Sequence, residues 1–341
     1  MLKNLHLQQY RCFKELSFEF SPGLNLFTGD NGSGKSSVIE SLYLAGRGKS
    51  FRTAKTKELI HNSFEQSYLH LNFLEDKLAI QISNHSLIYK YRNDILKKRS
   101  DLLDILPLQL LTPVSHEIVE SGPSQRRKFI DWGLFHVEHQ YRDLYSRFLK
   151  TLKQRNELLK SQTSDLSAWN DQFVETSLQL NNYRQLYLDE IRIIFEQIQR
   201  QQNKDYSLDF NFFRGWSSDN LEKELIENFS RDKRYGWTTV GPHKADLVFT
   251  VNQANKNQLS RGQQKLFIFV LQLSQCIHLK KHLKMLSPVF LIDDFASELD
   301  VNNQKLVCDL LRESGFQSFL TNIDHSNLLE EACDSVFHVE H

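Results

Sequence analysis

Apolar and polar positions alternate in ways that divide the chain into strand-rich and helix-rich parts. Two uninterrupted apolar runs, LNLFT at residues 24–28 and VFLI at residues 289–292, predict strands covered on both faces, as in a parallel sheet. Other segments favour strands of a small antiparallel lobe, at residues 2–8, 11–20, 67–73, 78–82 and 86–91. From about residue 124 to 202 glycine is almost absent and long side chains recur with helical spacing.

Shorter patterns complete this outline. They predict strands at residues 108–111, 209–213, 238–240 and 317–320, and a helix at residues 221–229. A chain reversal is expected near residues 163–165, which would give a two-helix arm. The sequence therefore predicts an α/β head made of residues 1–115 and 236–341, interrupted by a mostly helical arm at residues 116–235.

Composition sets limits on the class of protein. The chain has 341 residues with 40% hydrophobic and 25% charged content, which is ordinary for a globular protein of one or two domains. No apolar stretch approaches the roughly 18 residues of a membrane span, and the N-terminus does not resemble a signal peptide, so we expect a cytoplasmic protein without a membrane partner. The four cysteines are far apart and form no CxxC pair, which indicates neither zinc nor disulfides.

The segment GDNGSGKS at residues 29–36 is a complete phosphate-binding P-loop between a predicted strand and a predicted helix. Its glycines let backbone N–H groups turn inward, Lys35 is expected to reach the β- and γ-phosphates, and the Ser36 hydroxyl is expected to ligate Mg²⁺. A glycine-rich turn before a helix is the structural alternative. The predicted nucleotide contacts are Gly29, Asp30, Asn31, Gly32, Ser33, Gly34, Lys35, Ser36 and Ser37.

The apolar run at residues 289–292 is followed by two aspartates, a pattern typical of a Walker B strand. Asp293 is expected to hold Mg²⁺, and Asp294 to orient or deprotonate the attacking water. Many ATPases of this type carry Glu at the second position, so the shorter Asp294 predicts slow hydrolysis. A helix cap or turn is the alternative interpretation of the aspartate pair.

The segment LSRGQQK at residues 259–265 resembles the ABC signature, normally written LSGGQ. Ser260, Gly262 and Gln263 are expected to open a helix whose N-terminus faces the γ-phosphate bound by a partner chain, and Arg261 replaces the usual first glycine. An amphipathic helix capped by Ser260 is the alternative. SELD at residues 297–300 stands where ABC proteins place the D-loop. His325 stands several residues later than the phosphate-sensing histidine of ABC proteins, which favours a surface-loop histidine over a sensor.

Together the ordered motifs identify the ABC-type ATPase superfamily, and further segments make the resemblance narrower. GRGKSFRT at residues 46–53, PVSHEIVESGPSQRRKFID at 113–131, GPHKADL at 241–247 and DDFASELD at 293–300 are similar to the RecF family of SMC-like ABC ATPases. The similarity extends from Met1 to the last predicted strand. Leu259 follows Ser36 by 223 residues, an interval that a transporter ATPase does not have and that the helical arm fills.

The resemblance implies a recombination mediator that acts in DNA repair and replication. Such proteins form an ATP-dependent head-to-tail homodimer, bind duplex DNA at single-strand gap junctions, and act with RecR and RecO to help load RecA. The family also implies a weak, DNA-stimulated ATPase whose hydrolysis releases the dimer. ATP and Mg²⁺ are the implied cofactors.

The basic residues agree with DNA binding. The chain has a formal net charge of zero, so contact with DNA requires a local patch. Five cations follow the P-loop helix and are the predicted phosphate contacts, namely Arg47, Lys49, Arg52, Lys55 and Lys57. A solvated loop, or contact with the partner's ATP, is the alternative. A second cluster, residues 126–128, is expected on a helix surface or between head and arm, and His243 lies at a turn of unassigned role.

Two other functions compete with this interpretation. One is an ATPase subunit of a transporter, against which the long interval and Arg261 argue. The other is an SMC-like assembly protein that uses ATP as a structural ligand, which the replacement of Glu by Asp294 favours. The assembly protein would still require nucleotide-dependent association.

Overall fold

The structure is a computed structural model that describes residues 1–120, 122–161, 166–201, 208–251, 254–255, 259–283, 287–297, 299–322 and 327–340. The predicted reversal at residues 163–165 and His325 lie outside these ranges. The chain forms two compact units. The first contains residues 1–115, 261–272 and 280–341, and the second contains residues 116–260 and 273–279.

The strands are distributed over both units, and those between residues 208 and 255 belong to the second. In chain order the strands are β1 (Leu2–Tyr10), β2 (Phe13–Glu19), β3 (Leu24–Thr28), β4 (Gln66–Phe73), β5 (Lys77–Ser83), β6 (Leu87–Tyr91), β7 (Asp94–Ile95), β8 (Leu108–Leu111), β9 (Leu208–Phe213), β10 (Asp246–Val251), β11 (Ala254–Asn255), β12 (Val289–Ile292), β13 (Ser318–Thr321) and β14 (Ser335–His338).

Helices also occur in both units, and those between residues 117 and 235 belong to the second. In chain order the helices are α1 (Lys35–Arg47), α2 (Glu117–Glu120), α3 (Pro123–Val137), α4 (His139–Lys160), α5 (Ser167–Gln201), α6 (Leu221–Glu227), α7 (Phe229–Tyr235), α8 (Arg261–His282), α9 (Val301–Ser314) and α10 (Asn327–Ala332). Short 3₁₀ helices occur at Thr56–Leu59, Arg99–Asp104, Pro113–His116 and Pro242–Lys244. Among the helices of the described ranges, none combines the length and the apolar composition needed to cross a membrane.

The first unit contains a parallel sheet and an antiparallel sheet. The parallel sheet has the order β14-β3-β13-β12-β8, so β12 pairs with a parallel neighbour on each side. The antiparallel sheet has the order β2-β1-β4-β5-β6-β7. Residues of both sheets and of α1 share one apolar core, and α1 is buried along most of its circumference. The predicted α/β class with a parallel sheet and a small antiparallel lobe is confirmed.

The second unit packs helices against a small sheet. Its strands have the antiparallel order β11-β10-β9. Buried ion pairs connect its elements within the described residues, because Arg126 on α3 meets Asp246 on β10, Arg184 on α5 meets Asp131 on α3, and Arg155 on α4 meets Asp232 on α7. These charges stay buried because each guanidinium faces a carboxylate.

Several expected boundaries differ from the structure. Residues 236–260, expected with the head, belong to the second unit, because β10 pairs along its whole length with β9. The helix expected at residues 221–229 ends at Glu227, and α7 follows it. No strand forms at residues 238–240, because Asn156 and Asp232 side chains accept the hydrogen bonds of Thr238 and Thr239 that a strand partner would take.

Candidate functional site

The P-loop connects the buried strand β3 to the buried helix α1. Gly29, Gly32 and Gly34 have φ angles of 140°, 86° and 102°, a region that favours glycine. A Cβ on Gly34 would lie 2.3 Å from Cζ of Phe13, and one on Gly29 would lie 2.6 Å from the Val339 carbonyl oxygen. Backbone conformation and lack of space therefore both require glycine at these two positions.

Lys35 is the first residue of α1, and its side chain contacts the backbone of the P-loop. Its side chain donates from Nζ to the carbonyl oxygens of Gly29 at 2.6 Å and Asp30 at 2.7 Å. The residue is only 7% exposed, and burial lowers the pKa of its ammonium group. An ammonium has three N–H donors, so one remains for an anion held by the loop.

A chain of hydroxyl and carboxylate groups joins the P-loop helix to the ends of β12 and β13. Ser36 Oγ donates to Asp293 Oδ1 at 2.9 Å, and Thr321 Oγ1 donates to the same oxygen at 2.8 Å. The Asp294 N–H donates to Thr321 Oγ1 at 2.7 Å. Asp294 has a φ of 53°, a left-handed conformation rare for a residue other than glycine, so this hydrogen bond helps to hold a strained turn.

The Asp293 carboxyl group is buried, and the positive charges of Arg52 and Lys35 act on it without forming an ion pair among the described residues. Asp293 is 8% exposed, and burial raises the pKa of its carboxyl group. Within the part of the chain that the structure describes, no lysine or arginine forms an ion pair with it, whereas the buried Asp131 and Asp232 each face an arginine. A buried carboxylate beside a serine hydroxyl provides the hard oxygen ligands that Mg²⁺ prefers, so the donor set fits this ion.

An open cavity of about 560 Å³ lies beside these groups. This is within the size range of small-molecule sites. Its lining comprises Arg11, Cys12, Asn31, Gly32, Gly34, Lys35, Ser36, Ser37, Arg52, Glu58, Ile60, Asn62, Asp294, Thr321 and Asn322. The cavity thus brings P-loop residues together with the second aspartate of the predicted Walker B segment.

Sequence reasoning missed a network beneath the P-loop helix. Glu40 of α1 is fully buried and accepts from Arg11 Nε at 2.7 Å and from Arg11 Nη2 at 2.5 Å. Ser50 also donates to this carboxylate, and Arg52 Nη1 lies 3.7 Å from it. Glu40 thereby holds the side chains of Arg11 and Arg52 at the cavity. No sequence signal indicated Arg11, which lies in the turn after β1.

The predicted signature residues lie at the beginning of α8. The helix begins at Arg261, directly after Ser260, and both residues are exposed, while Gly262 and Gln263 are partly buried. Their contribution to a partner's phosphate site stays a prediction. Lys265 of the same segment was not assigned a role. It is 1% exposed and donates from Nζ to the carbonyl oxygens of Asp294 at 3.2 Å and Ser297 at 2.6 Å.

The predicted D-loop is described apart from residue 298. Asp300 caps α9, because its Oδ1 accepts the Asn303 N–H at 2.8 Å. Lys265 therefore connects the first turns of α8 to the loop between β12 and α9, so the signature segment and the second aspartate are coupled within the first unit.

The five cations predicted to contact DNA do not form one set. Arg47 is partly buried and donates to the Leu108 carbonyl oxygen at 2.9 Å, and Arg52 lines the cavity. Lys49, Lys55 and Lys57 are exposed, with Lys55 3.5 Å from Glu58. Arg52 is also exposed at its side chain, so four of the five cations reach the surface, and their contact with DNA stays a prediction.

The second basic cluster lies mostly inside the second unit, which differs from the expected helix surface. Arg126 is buried against Asp246, and Arg127 donates to the Ala245 carbonyl oxygen at 2.8 Å. His243 packs against Phe148 and Phe173, with Nε2 2.9 Å from the Thr238 carbonyl oxygen. Burial lowers the pKa of His243 to about 4. These residues support the fold of the unit.

Comparisons with known proteins agree with this geometry. The family described as RecF/RecN/SMC N terminal domain matches residues 1–341. The DNA replication and repair protein RecF of Vibrio campbellii is 37% identical over 352 residues, covering 100% of this chain and 98% of that protein. A solved structure of the recombination mediator protein RecF-ATP in the RecFOR pathway is 28% identical with a TM-score of 0.84, covering 100% of this chain and 97% of that one. An SmcHead bound to the C-winged helix domain of ScpA, 16% identical with a TM-score of 0.60 and coverage of 100% and 94%, shares the fold.

Proposed function

The chain belongs to the RecF/RecN/SMC N-terminal domain family, with RecF proteins as full-length relatives, and from this premise we propose that it is an ATP-dependent DNA-binding recombination mediator. The observation that carries the proposal is the hydrogen bond between Ser36 of the P-loop and Asp293 at the end of β12, beside a cavity that Asp294 also lines. It joins two motifs that are 257 residues apart into one site.

The proposed roles of the side chains follow from their positions. Lys35 and the N–H groups of the glycine-rich loop bind the phosphates of ATP, and Ser36 and Asp293 hold Mg²⁺. When bound, Mg²⁺ screens the negative charge of the phosphates. The buried Asp293 carboxylate, which forms no direct ion pair with an arginine or lysine among the described residues, would then lie beside a cation.

Asp294 is the proposed base or orienting group for the attacking water. Thr321 holds its backbone N–H, and the carbonyl oxygen of Asp294 accepts from Lys265 of the signature segment. The position of Asp294 is therefore coupled to the start of α8, where a partner chain would meet the nucleotide. Because its side chain is one methylene shorter than Glu, we infer slow turnover, as suits a timer that DNA stimulates.

The remaining parts of the proposal concern partners. An ATP-induced head-to-tail homodimer, with Ser260, Arg261, Gly262 and Gln263 completing the partner's site, would bind duplex DNA at single-strand gaps. The exposed Lys49, Lys55 and Lys57 supply phosphate contacts. The solved RecF-ATP relative is described as a protein of the RecFOR pathway, which supports RecR and RecO as partners. Loading of RecA is the outcome that we propose.

A second candidate is an assembly protein that uses ATP only as a structural ligand, and the short Asp294 favours it. The two functions differ in turnover. An active ATPase loses roughly 10²–10⁴-fold in rate when Asp294→Asn removes the base, because general-base catalysis contributes that much. A structural ligand site shows no multiple turnover before or after the substitution.

The test measures the solution mass of the protein with and without ATP–Mg²⁺, with a gapped duplex added in parallel. The expected result is a change from the 40.1 kDa monomer to twice that mass, with retention of the duplex. Asp294→Asn should prolong the dimer, and Lys35→Ala should abolish it. The exposed Asp189→Asn serves as a matched control with unchanged behaviour. A monomer that is indifferent to ATP would overturn the proposed mechanism.

A further inference from the structure

Two large aromatic side chains are stacked on the surface of the second unit. Tyr235 ends α7 and is 39% exposed, and Trp237 two residues later is 48% exposed. Their ring centroids are 5.2 Å apart with an interplanar angle of 12°. Gly236 between them has a φ of 74°, the left-handed conformation that ends the helix and brings the rings together. We call this pair the aromatic shelf.

Buried polar groups fix the backbone that follows the shelf. Asn156 Oδ1 accepts both the N–H and the hydroxyl of Thr238 at 2.8 Å. Asp232 Oδ1 accepts the Thr239 N–H at 2.9 Å, while the other oxygen of Asp232 meets the buried Arg155, also at 2.9 Å. Hydrogen bonds to buried residues of the second unit therefore fix the backbone next to the shelf, so binding a ligand requires little further ordering of the protein.

Cations surround the shelf. The guanidinium carbons of Arg231 and Arg234 lie 5.8 Å and 5.4 Å from the Tyr235 ring centroid, and Lys233 belongs to the same helix. Over the described ranges, no carboxylate forms an ion pair with these three cations, since Asp232 is buried against Arg155. The surface thus combines the exposed Trp237 ring with positive charge that forms no ion pair among the described residues.

We propose that the aromatic shelf binds single-stranded nucleic acid. Every base has an apolar face that can stack on Trp237, and the adjacent phosphates can meet Arg231 and Arg234. In a duplex the bases are already stacked on one another, so the shelf discriminates against duplex segments. This inference deepens the proposed function and rests on it, because a gap junction presents a single strand beside the duplex.

The composition of the surface also resembles protein-binding hot spots, which are enriched in Trp, Tyr and Arg. Hot spots lie in desolvated pockets within an apolar surround, however, and charged groups that stay unneutralised there are costly. The shelf instead has exposed rings flanked by arginines and a lysine. Charge complementarity therefore favours a polyanion with flat rings over a protein.

The experiment measures binding of a fluorescent 20-nucleotide dT oligomer to the full chain by anisotropy at several salt concentrations. Trp237→Ala is expected to weaken binding by about tenfold or more, and Trp237→Phe to restore most of it, because stacking needs a ring. Arg231→Ala with Arg234→Ala should reduce the slope of log K against log salt by about 0.7 for each phosphate that the protein no longer neutralises. Phe213→Ala, at an exposed aromatic of β9, is the matched control.

Thermal melting of each variant verifies that the fold is intact, and duplex binding by the wild type with ATP–Mg²⁺ is measured alongside. Loss of dT binding in Trp237→Ala alone, with recovery in Trp237→Phe, supports the shelf. Equal dT binding by wild type and Trp237→Ala overturns it and leaves a protein as the occupant. A wild type that binds duplex with ATP but never binds dT also overturns the shelf, while the proposed function stands. Failure of ATP-dependent duplex binding overturns the proposed function instead.

Discussion

Asp293 in the first unit and Asp232 in the second are both buried carboxylates, yet their neighbours differ in kind. Asp232 accepts from Arg155 at 2.9 Å and from the backbone and hydroxyl of Thr239. Asp293 accepts only from neutral hydroxyls among the described residues, those of Ser36 and Thr321, and lies next to the cavity. Among the described residues Asp293 forms no ion pair, and Arg52 and Lys35 act on it only at longer range, whereas Asp232 is neutralised by direct contact with Arg155.

The difference separates a charge that holds a fold together from a charge that is prepared for a ligand. A buried charge without a counter-ion costs free energy, so it persists where another requirement outweighs the cost. A paired charge costs less, but removing its partner leaves an uncompensated ion. Burial alone therefore does not identify a functional carboxylate, whereas the nature of its hydrogen-bond donors does.

The largest expected effect comes from the same substitution made in both units. Asp232→Asn should lower the free energy of unfolding by about 3–5 kcal/mol, because Arg155 stays buried without a carboxylate. Asp293→Asn should leave stability unchanged or raise it, because it removes a charge that burial disfavours, while ATP turnover is lost. Urea unfolding without nucleotide measures the first effect, and phosphate release measures the second.

The pH dependence of these variants sharpens the contrast. Burial raises the pKa of Asp293 in the folded state, so binding of a proton to this carboxyl group stabilises the fold. This contribution to the free energy of unfolding is fully present below the unfolded pKa and is lost as the pH rises through the folded pKa. The stability advantage of Asp293→Asn should therefore shrink as the solution is acidified. An Asp293→Asn protein that is much less stable than wild type at neutral pH would contradict this account of the two carboxylates.

A smaller effect is expected from His243, which packs between aromatic rings of the second unit. Its pKa is lowered from 6.5 to about 4, first by burial and then by the charges of Lys244, Arg127 and Arg155. A group whose pKa is lower in the folded state stabilises the fold above its unfolded pKa, and this contribution is lost as the pH falls through the folded pKa. Between pH 6.5 and 4 the unfolding free energy should fall by about 3 kcal/mol from this group.

Chemical denaturation across that pH range, repeated on His243→Gln, tests this prediction. In the variant, the free energy of unfolding should lose the part of its pH dependence that comes from His243, while the contributions of other titrating groups remain. An identical slope in wild type and variant would show that His243 titrates normally in the folded state.

The smallest effect concerns Thr321, whose hydroxyl joins the two aspartates of the first unit. Thr321→Val keeps the shape but leaves the Asp294 N–H without its acceptor, at a cost of about 1–3 kcal/mol. We expect roughly tenfold slower ATP turnover, measured at saturating ATP. Thr321→Ser retains the hydroxyl and should retain most of the rate. Equal loss in both variants would indicate a packing role instead.

The elements with strong local signals were predictable from the sequence. Leu24–Thr28 and Val289–Ile292 are strands with the expected bounds, because uninterrupted apolar runs suit the centre of a parallel sheet. The P-loop was predictable because its glycines adopt positive φ angles that other residues rarely take, and this requirement of the backbone is local. The segment at residues 238–240 was not, because side chains from α4 and α7 take its hydrogen bonds, and the α4 contact is long-range.

Single residues show the same division within the site. Lys35, Ser36 and Asp293 stood in motifs. Arg11 and Thr321 at the cavity, and the buried Glu40 that pairs with Arg11, carried no signal, since their positions depend on which strands become neighbours. Arg52 could be named as a cation, yet its placement at the cavity depends on Glu40.

The sequence by itself determined the family, the α/β class and the glycine-rich turn between β3 and α1, because motifs and periodicity are local properties of the chain. Only the tertiary structure decided which buried charges are neutralised by arginine and which are not, and which cations stay on the surface. Those outcomes depend on side chains brought together from distant segments, and the free energy of a charge is set by everything that surrounds it.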